Sequence, residues 1–236
     1  MITAFLQAAP VTDTVANAAN AAAQAAEPQG LSLFDLAVKG GWLMIPLALL
    51  LIIGVVIFVE RWLAIRKASK VDMNFMNNIK DYIYEGKIKS AIALCQKQDT
   101  PVSRMIEKGI ERIGRPLNDV QTAVENVGNL EVARLEEGMP FLSTISGGAP
   151  MIGFLGTVIG MIQAFYNMSA AGSNIDVTLL SGGIYTAMVT TVGGLVVGVL
   201  AYFGYNYLVS RIERVVFKME TSTIEFMDLL NEPVHS

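Results

Sequence analysis

From Gly40 to Val59 the chain runs twenty residues without a charge, rich in Leu, Ile and Val. At about 1.5 Å per helical residue this run spans roughly the 30 Å of a hydrocarbon core, which predicts a first membrane helix over 40–60. Trp42 and Trp62 lie twenty positions apart, so they mark opposite interfaces, where indole rings are favoured. Pro46 is expected to bend the outer end without ending the helix. Further on, Asp176 is the only charged residue between Glu137 and Arg211, and it divides uncharged runs of 38 and 34 residues. The pattern predicts a helical hairpin: membrane helices over 141–167 and 181–209, joined over 168–180 by a small, polar turn marked by Asn167, Ala170 to Asn174 and Asp176. Each run is longer than a bilayer needs, so both helices should project beyond it.

The intervening segment, 61–140, has a different rhythm. Met105, Ile106, Gly109, Ile110 and Ile113 recur at helical spacing, as do Val120, Val124, Val127, Leu130 and Leu135, and both stripes read as core-packing faces. Breaks are expected at Gly86, at Asp99-Thr100-Pro101 and from Gly114 to Pro116. The tail over 210–236 repeats the pattern with Ile212, Val215, Met219, Phe226 and Leu230, so the third membrane helix should continue into water.

Charge sets the orientation. Of the 17 Lys and Arg, 16 lie between the first and second membrane helices or after the third, which predicts a cytoplasmic helical insert, a cytoplasmic C-terminus and an external N-terminus. The first thirty residues, rich in alanine, have no positive charge after Met1 and too short an apolar core for a signal peptide, so the segment over 1–39 reads as an external tail.

Composition narrows the chemistry. With 53% apolar and 16% charged residues the chain is a membrane protein by class. The segment from Glu60 to Pro140 carries 13 Lys/Arg against 12 Asp/Glu, so no basic excess points to nucleic acid. The single histidine, His235, next to the last residue, leaves no basis for a His-based triad or a His-containing metal cluster. Cys95 is alone and sits among apolar neighbours, as a packed, inert thiol would. Neither an enzyme nor a bound cofactor is indicated.

What remains is a stripe of small residues on each hairpin helix. Gly153, Thr157, Gly160 and Ala164 share one face of the second helix, beside Gly156; Gly183, Ala187, Thr191, Gly194, Gly198 and Ala201 share a face of the third. Small residues let helix backbones approach closely where lipid is as apolar as leucine. Thr157, Thr190 and Thr191 add hydroxyls at depth. Apart from Glu60 at the inner end of the first, no Asp, Glu, His, Lys or Arg lies in the three spans. A proton path normally needs an ionisable group at depth, so a carrier would have to come from a partner.

The Ala149-Pro150 to Gly160 run with its Gly156-Thr157 step, the Gly183-Ile184 to Gly194 segment, the lone first helix and the insert of roughly 80 residues occur in an order that resembles the ExbB/TolQ/MotA family, ExbB most of all. The resemblance covers most of the chain. It implies an all-α integral membrane protein of the bacterial inner membrane, with three membrane helices extended into the cytoplasm. It further implies a homo-oligomeric, pentameric helical barrel around an ExbD-like single-span partner that supplies an aspartate, working with a TonB-like protein. On that resemblance Thr157 and Thr191 face the partner's aspartate, with Thr190 and Thr186 beside the ion pathway, while Gly153, Gly156, Gly160, Gly194 and Gly198 pack helices closely. Thr186 stands where many ExbB relatives carry a glutamate, so the coupling ion, proton or sodium, stays open.

Overall fold

The computed structural model describes residues 40–70, 74–170 and 177–231, all in helices or the short turns between them. Seven helices follow in order: α1 Met44–Ala68, α2 Phe75–Tyr84, α3 Ile88–Gln98, α4 Pro101–Ile110, α5 Leu117–Glu136, α6 Met139–Ala170 and α7 Val177–Asn231. The N-terminal tail, Lys39 and the tip of the hairpin lie outside the described residues.

Helices α1, α6 and α7 are long and apolar enough to cross a membrane. Their outward faces carry exposed Ile45, Leu49 and Ile52 on α1, Met151 and Phe154 on α6, and Met188 and Leu195 on α7, the distribution expected where lipid or another membrane helix replaces water. Helix α7, with 55 residues, is about 80 Å long and runs continuously from the membrane region into the insert, where α4 and α5 pack against it. The insert therefore shares a core with the membrane bundle: Leu142 and Ile145 of α6, Leu208 and Ile212 of α7, and Ile106, Val120 and Phe226 of the insert region belong to one buried cluster.

Local chemistry explains where the helices stop. Gly86, Gly114 and Gly138 have positive φ, and so does Asp99, at 43°, a left-handed conformation that ends α3. The next helix is capped at once. Ser103 N–H donates to Thr100 Oγ1 at 3.3 Å and Thr100 N–H donates to Ser103 Oγ at 2.8 Å, with Pro101 at the first helical position, so one reciprocal box satisfies two orphan donors.

Three expectations change. Helix α1 begins at Met44 after a turn over 40–43, so Pro46 occupies its first turn. There its missing N–H removes no helical bond, and it has no bend to impose. Asn167 and Ala170 are helical, and the helices extend further into the expected loop, leaving only 171–176 outside the described residues. On α5 the buried stripe is Val120, Val124, Gly128, Glu131 and Leu135, whereas Leu130 is 62% exposed. The buried face includes a carboxylate and a glycine, which an apolar count passes over.

Candidate functional site

Helices α6 and α7 run antiparallel and in close contact. Where they touch, almost every contact residue is small. A Cβ added at Gly183 would lie 2.7 Å from Ala164 Cβ, and one added at Gly160 would lie 2.8 Å from Ala187 Cβ. Deeper along the seam the opposing atoms are backbone: a Cβ at Gly194 would meet the Ala149 carbonyl oxygen at 2.6 Å and Gly153 Cα at 2.8 Å. The seam exists because nothing larger than hydrogen occupies these positions, so the two backbones gain dispersion contact along their length.

Pro150 adds a defect that the seam uses. It stands inside α6, and with no N–H it leaves the Ser146 carbonyl without its helical donor. Gly198 on α7 receives this region: a Cβ there would sit 2.5 Å from Pro150 Cγ and 2.9 Å from the Ser146 carbonyl oxygen. A freed carbonyl oxygen is thus held between the helices at a position where only glycine leaves it room.

The four threonines divide into two pairs. Thr191 Oγ1 donates across the seam to the Gly153 carbonyl at 3.0 Å, and Thr157 lies one turn further along α6, where its hydroxyl donates to the Phe154 carbonyl at 2.6 Å. Both are partly exposed at an edge of the seam. Thr190 is 2% exposed and donates to Ala187 O at 2.7 Å. Its Oγ1 fills the space opposite Gly156, where an added Cβ would come within 2.4 Å. Thr186 lies one turn before it, with its methyl 3.7 Å from where a Cβ of Gly41 would stand, near the start of α1. Thr157 and Thr191 are thus both partly exposed, while Thr190 packs against Gly156 of α6 and Thr186 lies near the start of α1. Helical spacing places Thr190 and Thr191 about 100° apart, but which of them meets α6 backbone and which packs against glycine needs the partner helix.

Among the described residues the membrane parts of α6 and α7 hold no ionisable Asp, Glu, Lys, Arg or His between Glu137 and Arg211. Their polar side chains are neutral hydroxyls and the carboxamides of Gln163, Asn167 and Asn206, beside the Ser146 carbonyl that Pro150 frees. Such a surface can solvate a proton carrier; it cannot itself carry charge.

Ionisable groups concentrate in the insert. Glu131 is 3% exposed and receives Arg104 Nη2 at 2.5 Å and Arg134 Nη1 at 2.7 Å; the hydrogen bond from Arg104 to Glu131 holds that guanidinium charged even more firmly than usual. Lys67 and then Arg104 hold the Asp99 carboxyl below the usual carboxylate range. Arg61 of α1 donates to the Arg134 carbonyl at 3.0 Å, tying the first membrane helix to the end of α5. Burial pushes the Cys95 thiol up to about 12, which leaves it protonated and unreactive at neutral pH.

The sequence profile of the MotA/TolQ/ExbB proton channel family matches residues 97–221, from the end of α3 through most of α7. An ExbB homologue of Methanothermobacter thermautotrophicus is 30% identical over 183 residues, 77% of this chain but only 64% of the relative. The ExbB-like 1 protein of Synechocystis is 30% identical over 181 residues, covering 75% of this chain and 71% of the relative. The Tol-Pal system protein TolQ of Pseudomonas aeruginosa is 25% identical over 188 residues, 75% of this chain and 81% of that protein. The family profile thus spans more than half of the chain, including the whole small-residue seam, and the chain belongs to the MotA/TolQ/ExbB proton channel family.

Proposed function

We propose that this chain is the ExbB-like subunit of a proton-motive-force-driven motor in the bacterial inner membrane, with its N-terminus periplasmic and its C-terminus cytoplasmic. In this reading five copies form a helical barrel around an ExbD-like single-span partner. The motor energises TonB-dependent transport across the outer membrane. The observation that carries the reading is the absence of any ionisable Asp, Glu, Lys, Arg or His in the described membrane parts of α6 and α7, beside an edge where Thr191 and Thr157 present hydroxyls. A proton path needs a titratable group at depth, so the family's ion flow requires a carboxylate from a partner helix.

The mechanism follows from the seam's texture. An aspartate entering beside Thr157 and Thr191 is stabilised as the anion by water and by the two hydroxyls, which turn from the Phe154 and Gly153 carbonyls to donate to it. It is neutralised by a proton arriving from outside. Once neutral, the partner helix loses the charge that held it beside the hydroxyls and moves along the exposed edge of the α6–α7 pair. Release of the proton towards the cytoplasm restores the charge and pins the helix at the next subunit. One charge crossing 100 mV supplies about 2.3 kcal/mol, and a pH gradient adds to it.

The test is proton flux in vesicles holding the chain with and without its single-span partner. Flux should require both, and Thr191→Val, nearly isosteric but without the donor to Gly153, should keep assembly while lowering flux at least about ten-fold. Flux through the chain alone would overturn the reading, as would full flux in Thr191→Val and Thr157→Val. The TolQ relative, aligned over 81% of its length, favours one second reading: a Tol-type motor for envelope integrity. Deletion separates the two, because loss of energised uptake marks an ExbB-type role and leakage of periplasmic contents marks a Tol-type role. Repeating the flux assay with and without sodium identifies the coupling ion.

A further inference from the structure

Between helices α1 and α7, beside the small-residue seam, lies a gap with two chemically distinct halves. The first is an apolar groove of about 410 Å³, walled by Leu50, Gly54 and Phe58 of α1 and by Val197, Ala201 and Gly204 of α7, with α6 behind. Its width at Gly54 follows from the missing side chain: a Cβ there would touch nothing nearer than Ile145 at 3.7 Å. The second is a cavity of about 490 Å³, lined by Arg66 and Lys70 of α1 and by Arg211 and Arg214 of α7, with Trp62 beside them. Tyr207 lines both halves, so the apolar groove leads directly to the basic cavity.

The four cations lack the carboxylate partner that several cations around them have, a lack shared by Lys218, which reaches the Ser69 carbonyl at 3.4 Å. Arg61, Lys67, Arg104, Lys108 and Arg134 each meet a carboxylate. Arg66, Lys70, Arg211 and Arg214 pair with none among the described residues, and no carboxylate lines their cavity. What they do meet is aromatic and neutral. Arg66 lies 5.3 Å from the Trp62 ring centroid, and Arg211 lies 5.3 Å from the Tyr207 ring centroid while donating to its hydroxyl at 3.1 Å. Arg211 gives both Nε and Nη2 to that hydroxyl, so its Nη1 and the guanidinium groups of Arg66 and Arg214 supply the donors for contact with phosphate. Basic residues near a membrane helix end are expected from orientation alone. Convergence of four from two helices on one cavity, at the end of a lipid-depth groove, is not.

We propose that this cleft is a binding site for an anionic phospholipid of the leaflet on the insert's side. One acyl chain lies in the groove past Gly54 and Gly204, and the phosphate sits among Arg66, Arg211, Arg214 and Lys70. From Leu50 to Phe58 the groove extends roughly 12 Å along α1, enough for the upper half of an acyl chain. The lipid closes the cleft between α1 and the α6–α7 pair, and it couples the stability of the bundle to membrane composition. This site is independent of the channel reading.

Native mass spectrometry of the full-length protein, delipidated and titrated with phosphatidylglycerol or phosphatidylcholine of matched chains, tests it. Phosphatidylglycerol should occupy one site per chain at least ten-fold more tightly than phosphatidylcholine. Replacing Arg66, Arg211 and Arg214 by Gln should abolish that preference, while Gly54→Leu, which fills the groove, should weaken both lipids at least five-fold. If the triple variant fails to fold, Arg214→Gln alone should still lower the preference at least three-fold. Equal affinity for the two lipids overturns the proposal, as does an undiminished preference in the charge variants. So does full displacement by millimolar inorganic phosphate, which would mark an ion site rather than a lipid site. A change of oligomeric state in the charge variants with lipid binding intact would assign the cleft to a second copy of the chain and overturn it equally.

Discussion

The α6–α7 seam and the packing of α4 and α5 in the insert solve the same problem with opposite materials. In the seam, small residue meets small residue: Gly194 opposes the backbone of Ala149 and Gly153, and Gly160 opposes Ala187. In the insert, small residue meets large side chain: a Cβ at Gly109 would strike the Phe226 ring at 2.4 Å, and one at Gly128 would strike Met105 Cε at 2.9 Å. The insert also invests charge, with Glu131 buried between Arg104 and Arg134, where the membrane seam has only hydroxyls. The difference follows from the solvent. Water drives large apolar side chains together in the insert at about 25 cal/mol per Å² buried. Lipid offers no such drive, so the membrane helices gain only what close backbone contact and a few hydrogen bonds supply.

The contrast predicts that one added methyl is most damaging where backbone lies opposite it. Gly194→Ala places its Cβ 2.6 Å from a carbonyl oxygen and 2.8 Å from Gly153 Cα, neither of which can rotate away. The helices must separate along the seam, and the cost should reach about 3 kcal/mol, the upper end for overpacking. Unfolding of the purified protein by SDS in mixed micelles measures it. Gly147→Ala, where an added Cβ meets nothing within 4 Å of its own chain, is the matched control and should leave the subunit's fold intact. Equal losses in the two variants would show that the seam is not held by backbone contact.

Charge in the insert comes next in size. Glu131→Gln keeps the shape but strips the carboxylate from between two guanidinium groups, leaving Arg104, whose Nε already lacks a partner, without its main counter-charge. Breaking a buried pair costs about 3–5 kcal/mol, but the Arg104 side chain is 34% exposed, so water recovers part of this. About 2 kcal/mol is expected, read as a fall in the melting temperature of the insert's helical signal. Replacing both Arg104 and Glu131 with apolar residues of similar volume should recover much of that loss, because neither charge then stays buried alone.

How much of this was legible beforehand depends on which physical signal each feature leaves in the chain. The three membrane helices were, because twenty and more uncharged residues have no other stable home. The helix breaks were too, since Gly86, the Asp99-Thr100-Pro101 step and Gly114 carry their own backbone chemistry. The small-residue stripes could be read from spacing, but their pairing could not: nothing in the sequence says that Thr190 fills the space at Gly156 while Thr191 reaches Gly153. Glu131 was missed because hydrophobic periodicity treats a carboxylate as an outward residue. The spacing of 120, 124, 128, 131 and 135 was the available signal, and Leu130, more apolar and one position away, masked it. The convergence of Arg66 with Arg214 was equally out of reach, since they lie on helices more than a hundred residues apart.

The smallest effect makes the sharpest comparison. Gly128→Ala, on the buried face of α5, adds the same methyl as Gly194→Ala and also meets an atom closer than 3 Å, yet that atom is the terminal Cε of Met105. A methionine end group rotates at little cost and fills irregular space, so the steric penalty should be well below 1 kcal/mol. Against it stands the gain from replacing a mid-helix glycine with alanine, worth about 1 kcal/mol through reduced freedom of the unfolded chain. The two nearly cancel, and Gly128→Ala should leave stability within about 0.5 kcal/mol of the parent. The same substitution would then cost about 3 kcal/mol in the seam and almost nothing in the insert. If Gly128→Ala instead destabilises as much as Gly194→Ala, the insert is packed as rigidly as the membrane seam, and the distinction drawn from solvent fails.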